Sequence, residues 1–263
     1  MTLTSHRIIQ YIVILLILAL GGGGYWYWKN AQASVIQKAA NENGLVGYWS
    51  FDEGSGTGAG DASGNGNTGT LTNGPTWTTG RLGQGVTFDG VNDYVSVGDT
   101  NSLDMTTAIS VSVWIKTTSS ANTVILEKSS NNSNYHLHMS ANSPSKPEFG
   151  TVGVTATRAI SSIAVNDGQW HHVVGTFNTT DGLKIYVDAV LAGTNSTLTA
   201  MTANTENLLI GSRSGLFGFP GSIDEPHIYN RALSATEITD LYALGAAKLN
   251  TSQNTSITSG LVG

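Results

Sequence analysis

The sequence contains no cysteine and only 5 prolines in 263 residues, and charged residues make up 11% of it. Without cysteine there are no disulfide staples, no thiol nucleophile, no thiolate metal site and no lipoprotein anchor. Lys and Arg never cluster, and the formal net charge is −6. No basic stripe exists to neutralise phosphates, so nucleic acid is not an expected partner. What the chain has in quantity is glycine, at 32 residues, with Thr, Ser, Asn and β-branched residues. That is the composition of short strands and tight turns. The length suits one all-β sandwich with a core that needs no staples.

One long apolar run breaks this pattern. Ile8 to Trp28 carries no charge and as a helix spans ~31 Å, about one bilayer core. Tyr25 to Trp28 end it as an aromatic belt, and Arg7 precedes it. Residues 1–30 are therefore expected to be a transmembrane anchor, with the remainder on the extracytoplasmic side. The alternative is a signal sequence cleaved near Ala31-Gln-Ala33, which would leave a secreted protein. Residues 31–43 form a polar spacer. Residues 246–263 are Ser/Thr/Asn-rich and aperiodic, and are expected to be a disordered tail. The final Gly260-Leu-Val-Gly263 repeats Gly44-Leu-Val-Gly47. This fits coincidence, or a linker into a second, truncated copy.

Between them the strand period dominates. Ile109, Val111, Val113 and Ile115 alternate with Ser110, Ser112, Trp114 and Lys116. His172–Phe177 and Leu183–Val187 read as a hairpin. Ile223 to Tyr229 reads as a closing strand with a costly carboxylate, Asp224, in its middle. Pro226 removes one ladder donor, which requires an edge or a bulge. Ser234-Ala-Thr-Glu237 is a capping box for a short helix.

Ordered motifs resemble a known family. Gly47-Tyr-Trp-Ser-Phe-Asp-Glu53, Asp61-Ala-Ser-Gly-Asn-Gly-Asn67, Val86-Thr-Phe-Asp-Gly-Val-Asn-Asp-Tyr-Val95, Asp167-Gly-Gln-Trp-His-His-Val-Val174 and Gly221-Ser-Ile-Asp-Glu-Pro-His-Ile-Tyr-Asn-Arg-Ala-Leu233 are similar, in order, to bacterial laminin-G-like domains of the concanavalin A-like lectin/glucanase superfamily. The resemblance covers residues 44–245. It implies a two-sheet antiparallel jelly-roll sandwich with a C-terminal helix. It also implies a structural Ca²⁺ between the first-strand region and the last strand, with Asp52, Asp61, Asn65, Asn67 and Asp224 as candidate ligands or close neighbours. Their oxygen chemistry suits a hard cation. An Asx-rich turn, with Asp224 capping backbone groups, is the alternative.

Sugar binding needs aromatic platforms, for which Trp77, Tyr135, Phe217 and Phe219 are the candidates; each could instead be a core or loop plug. His136 and His138 share a strand face and His171-His172 are adjacent, but neither pair has a third ligand at a suggestive spacing, so zinc is not expected. No strand carries two acids on one face, and Ile223-Asp-Glu225 offers only neighbours, so glycoside hydrolysis is disfavoured. The expected function is a non-catalytic, calcium-stabilised, membrane-anchored binding or adhesion domain for surface glycan or protein. A spacer without a ligand is the alternative, and a glycan hydrolase the weaker one.

Overall fold

The computed structural model describes residues 42–128, 134–151 and 157–254, with side chains as far as 246. The chain divides into two units, residues 1–43 and 44–263, and the fold described is that of the second. The expected N-terminal anchor lies outside the described residues. Among them, no helix is long and apolar enough to cross a membrane.

Strands are numbered in chain order. In spatial order the first sheet runs β14 (Val190–Asn195), β13 (Gly182–Val187), β12 (Trp170–Asn178), β7 (Ala108–Thr117), β16 (Pro220–Tyr229), β5 (Gln84–Asp89) and β4 (Thr76–Thr79). In addition, β1 (Leu45–Tyr48) pairs with β16. The second sheet runs β11 (Arg158–Ile160), β10 (Pro147–Thr151), β9 (Tyr135–Met139), β8 (Val124–Glu127), β15 (Leu208–Ile210), β6 (Tyr94–Val97), β3 (Gly69–Thr72) and β2 (Gly58–Ala59). Neighbouring strands are antiparallel throughout, and the two sheets form an all-β sandwich.

The alternation in β7 is the sandwich in miniature. Ile109, Val111, Val113 and Ile115 enter the shared core, with Trp49, Phe51, Phe149, Phe177 and Phe219. Ser110, Ser112 and Trp114 face the other way. They are still buried, because the C-terminal helix covers that face. This helix, α1 (Ala235–Asn254), packs Ile238 and Leu241 against Val174, Tyr186, Tyr229 and Leu233, each fully buried aliphatic being worth ~1.5–3 kcal/mol. Trp114 stacks on Tyr242 with ring centroids 5.6 Å apart.

The helix start follows the capping box. Ser234 N–H donates to Glu237 Oε2 at 2.8 Å, and Glu237 N–H donates to Ser234 Oγ at 3.3 Å. Arg231 grips Glu237 with both terminal guanidinium nitrogens and holds its carboxyl down at about 2. The helix does not stop where an unstructured tail was expected to begin; it continues from Ala246 to Asn254.

Strand β16 serves two neighbours along one edge. Pro220–Ile223 pair with β5, and His227–Tyr229 pair with β1. Between the halves, its register with β7 shifts from Asp224 to His227. Pro226 thus sits in a bulge, as its missing donor requires, and Glu225 takes a left-handed φ of 53° there.

Candidate functional site

The five candidate calcium ligands fall into two groups. Asp61 accepts the Tyr48 and Ser63 amides through Oδ1, and the Asn67 amide and Ser63 hydroxyl through Oδ2. Burial works against its charge, but these donors outweigh it and keep the carboxyl below its usual range. Asn67 Nδ2 donates to Val46 O at 2.7 Å, and its Oδ1 accepts from Thr100 Oγ1 at 2.8 Å. Asn65 Nδ2 reaches Leu45 O and Ser63 Oγ. These three residues lash a turn to β1.

Asp52 and Asp224 instead hold the Gly80–Gln84 turn. Asp52 Oδ1 accepts the Gln84 amide at 2.8 Å, and Asp224 Oδ2 accepts the Leu82 amide at 2.8 Å. Asp224 Oδ1 accepts the Glu225 amide at 2.9 Å. The approach is so close that a Cβ on Gly80 would sit 2.6 Å from Asp224 Oδ2, and one on Gly83 would collide with Asp52. Asp224 is fully buried, and burial pushes its pKa up to about 7 against the pull of the amide donors. The candidates thus lie in two groups, Asp61, Asn65 and Asn67 at β1 and Asp52 and Asp224 at the Gly80–Gln84 turn, and the Asp61, Asp52 and Asp224 carboxylates all accept backbone amides.

An oxygen-rich cation pocket does exist elsewhere, and the protein fills it. Lys128, with a side chain 0% exposed, places Nζ 2.8 Å from Asp99 Oδ1 and Asp104 Oδ1, and 3.1 Å from Asn204 O and Oδ1.

The aromatic candidates also separate. Tyr135 and Phe219 are fully buried in the core, which removes them from the surface platforms. Tyr135 lies on the same strand face as Leu137 and Met139, and its hydroxyl donates to Leu103 O at 3.2 Å. Trp77 leans on the core and donates its indole N–H to Gly56 O at 2.9 Å. Phe217 alone of the four remains well exposed, at 49%.

Phe217 belongs to a tight loop, residues 211–219, that leads from β15 in the second sheet to β16 in the first. Arg213 and Leu216 exchange backbone hydrogen bonds, Ser212 Oγ donates to Leu216 O, and Phe217 O accepts the Val124 amide at 2.9 Å. Phe217 takes a φ of 55°, a strained state held by those bonds. The loop presses on the Asp89–Asp93 turn: a Cβ on Gly218 would lie 2.6 Å from Gly90 C. Val91 and Leu216 are 67% and 62% exposed. The Arg213 guanidinium lies 5.4 Å from the Phe217 ring centroid, and forms a fork with Glu127 at 2.8 and 2.9 Å.

That fork leads to a cluster the sequence spacing did not reveal. On the outer face of the second sheet, Glu127, His136, His138 and Glu148 are all buried. His138 Nε2 is 2.8 Å from Glu127 Oε2, and Arg158 Nη1 donates to Glu148 Oε1 at 3.2 Å. Burial opposes ionisation of both glutamates. His138 and Arg213 nevertheless hold Glu127 below its usual range, and the His136, Ser140 and Arg158 side chains hold Glu148 at about 2. Burial pushes His136 down to about 4. The other pair is unlike it. His171 bridges Asp188 and Asp167 at 2.7 and 3.0 Å, which raises its pKa. His172 hydrogen-bonds Ser112 Oγ at 2.8 Å, and burial lowers its pKa to about 3.

A laminin-G family model, described as Concanavalin A-like lectin/glucanases superfamily, matches residues 88–239, more than half of the chain. The chain belongs to the concanavalin A-like lectin/glucanase superfamily. No curated protein matches it. Among solved structures, the binding domain of Paraclostridial Mosquitocidal Protein 1 superposes with a TM-score of 0.64 at 16% identity, over 77% of this chain and 52% of that one. Domain 4 of AbnA, a GH43 extracellular arabinanase from Geobacillus stearothermophilus, in complex with arabinotriose, gives 0.64 at 20% identity, over 75% of this chain and 98% of that one. The botulinum neurotoxin serotype D ligand-binding domain in complex with N-acetylneuraminic acid gives 0.63 at 17%, over 79% and 52%. The chain thus spans about half the length of the toxin binding domains it matches. At such identities the likeness is one of fold.

Proposed function

We propose that this lectin-like domain is a non-catalytic binding module that takes a glycan on the surface made by the 89–93 and 211–219 loops. The observation that carries this reading is Phe217, an exposed ring locked by backbone hydrogen bonds beside the Arg213 guanidinium. Val91 and Leu216 extend the apolar platform, and Asn92 and Arg213 edge it with polar groups. A sugar ring offers an apolar face and a hydroxyl rim to such a surface. Because the loop is already held, little ordering entropy opposes binding. Neighbours solved with arabinotriose and N-acetylneuraminic acid support the ligand class.

The carboxylates support the absence of catalysis. Retaining or inverting hydrolysis needs one protonated acid in reach of the sugar, whereas Glu127 and Glu148 are held ionised and Asp224 is buried on backbone amides. The apolar run 8–28 would hold the domain on the extracytoplasmic side as a membrane anchor, a placement that rests on its length, its lack of charge and its aromatic end.

A glycan array probed with the protein tests the reading. It expects binding to a defined set of oligosaccharides, reduced by about 30-fold in Phe217→Ala, the loss of a ~2 kcal/mol contact. An empty array would leave the spacer reading in its place.

A further inference from the structure

We propose that His136, His138 and Glu148 form a zinc-type metal site on the outer face of the second sheet. The inference does not rest on the glycan reading, and none of the three ligand residues belongs to that surface; the two share only Arg213, which backs Glu127. One ligand atom from each of the three side chains lies within 4.8 Å of the others, and all three residues are buried. No other such trio of His, Cys, Asp or Glu occurs among the described residues.

Strand geometry brings them together. His136 and His138 alternate with the core residues Tyr135, Leu137 and Met139, so both rings stand on the outer face, with centroids 4.2 Å apart. The third residue comes from the next strand, where Glu148 lies directly opposite His138. Sequence spacing hides it, because the connection is a strand pairing.

The second observation is that protein partners satisfy the cluster only in part. Neither nitrogen of the His136 ring has a hydrogen bond, and Glu148 Oε2 has none. Nε2 of His136 comes only to 3.5 Å from Glu148 Oε1. Buried polar atoms are normally paired, and leaving them unpaired is costly. A metal bound through one His136 nitrogen and Glu148 Oε2 would occupy two of these three unpaired atoms and leave Oε1 to Arg158. His138 is prepared in another way. Its Nε2 lies against Glu127 Oε2, and Arg213 grips Glu127 from behind. With the proton on Nε2, the lone pair is on Nδ1. A carboxylate behind a histidine is the usual support of a metal ligand.

The donor set selects the ion. Two imidazoles and one carboxylate match zinc sites that keep a fourth position open, whereas calcium takes oxygen alone. Bonds of ~2.0–2.2 Å place tetrahedral ligand atoms roughly 3.3 Å apart. With the ligand atoms within 4.8 Å of one another, each separation must therefore shorten by at most roughly 1.5 Å on binding, within the reach of side-chain rotation.

The test titrates the metal-stripped full chain with zinc chloride by calorimetry, and with calcium chloride in parallel. One equivalent of zinc should bind and calcium should not. His136→Gln and Glu148→Gln should each abolish uptake. Glu127→Gln keeps all three ligands and should weaken it by ~10–100-fold. His171→Gln removes the surface histidine between Asp167 and Asp188 and should change nothing. Should the ligand variants fail to fold, zinc-edge X-ray absorption of the wild type decides, because it must show two imidazole nitrogens. No zinc uptake, uptake lost in His171→Gln, or an all-oxygen shell would overturn the proposal.

Discussion

Asp224 gives the sharpest prediction about the fold. Its carboxyl is fully buried, and burial moves its pKa from ~3.9 to about 7. A shift of three units corresponds to roughly 4 kcal/mol at ~1.36 kcal/mol per unit. The folded state keeps this proton up to about pH 7, while the unfolded chain releases it near pH ~4. The stability contributed by the site is therefore complete below pH ~4, declines as pH rises, and is gone above about pH 7. Asp224→Asn cannot ionise and should escape that decline. Urea unfolding of wild type and variant at intervals from pH 4 to pH 8.5 isolates the site, because every other titration is common to both. The difference between the two proteins should move by about 4 kcal/mol in favour of Asn across that range. A flat difference would show that Asp224 is solvated or ionised in the fold, and would refute the burial argument. The same experiment tests the calcium expectation. A site of which Asp224 is a ligand would add ~2.7 kcal/mol to the wild type alone at 100 times its Kd. The engagement of Asp224 with Leu82 and Glu225 predicts no such gain.

Three other perturbations have definite signs. Lys128→Ala leaves Asp99 and Asp104 facing each other without their cation, and should cost about 3–5 kcal/mol by urea unfolding; a loss below 1 kcal/mol would mean that the pocket is wet. Ala189→Gly should stabilise by up to about 1 kcal/mol, because Asp188 and Ala189 both hold positive φ, at 51° and 66°, in the β13–β14 turn; thermal unfolding reads it. Ser234→Ala removes the hydroxyl that caps α1 and should cost ~0.5–2 kcal/mol, visible as earlier loss of helical circular dichroism.

The parts of this fold that could be read in the sequence are those with local causes. The period of two in β7 comes from one covered face, and the Ser234–Glu237 box needs only adjacent residues. Pro226 announced its bulge because a missing N–H has few homes. The errors share a different cause. Tyr135 follows Asn134 as a platform at a strand edge would, yet its parity with Leu137 and Met139 assigns it to the core. Phe219 and Phe217 sit two apart in one Gly-rich stretch, and only the left-handed turn at Phe217 separates the buried ring from the exposed one. The Lys128 pocket and the Glu148 partner of the histidines depend on contacts between distant segments, which spacing along the chain does not encode. Asp61 and Asn67 are a separate case: they carry the chemistry of cation ligands, and the turn they build also turns it toward backbone amides and carbonyls.

Backbone amide chemical-shift mapping with an oligosaccharide selected on the array tests the central claim most directly. Binding to the Phe217 platform predicts perturbations confined to residues 89–93 and 211–219, absent in Phe217→Ala. Perturbations elsewhere, or an unchanged pattern in the variant, would contradict it.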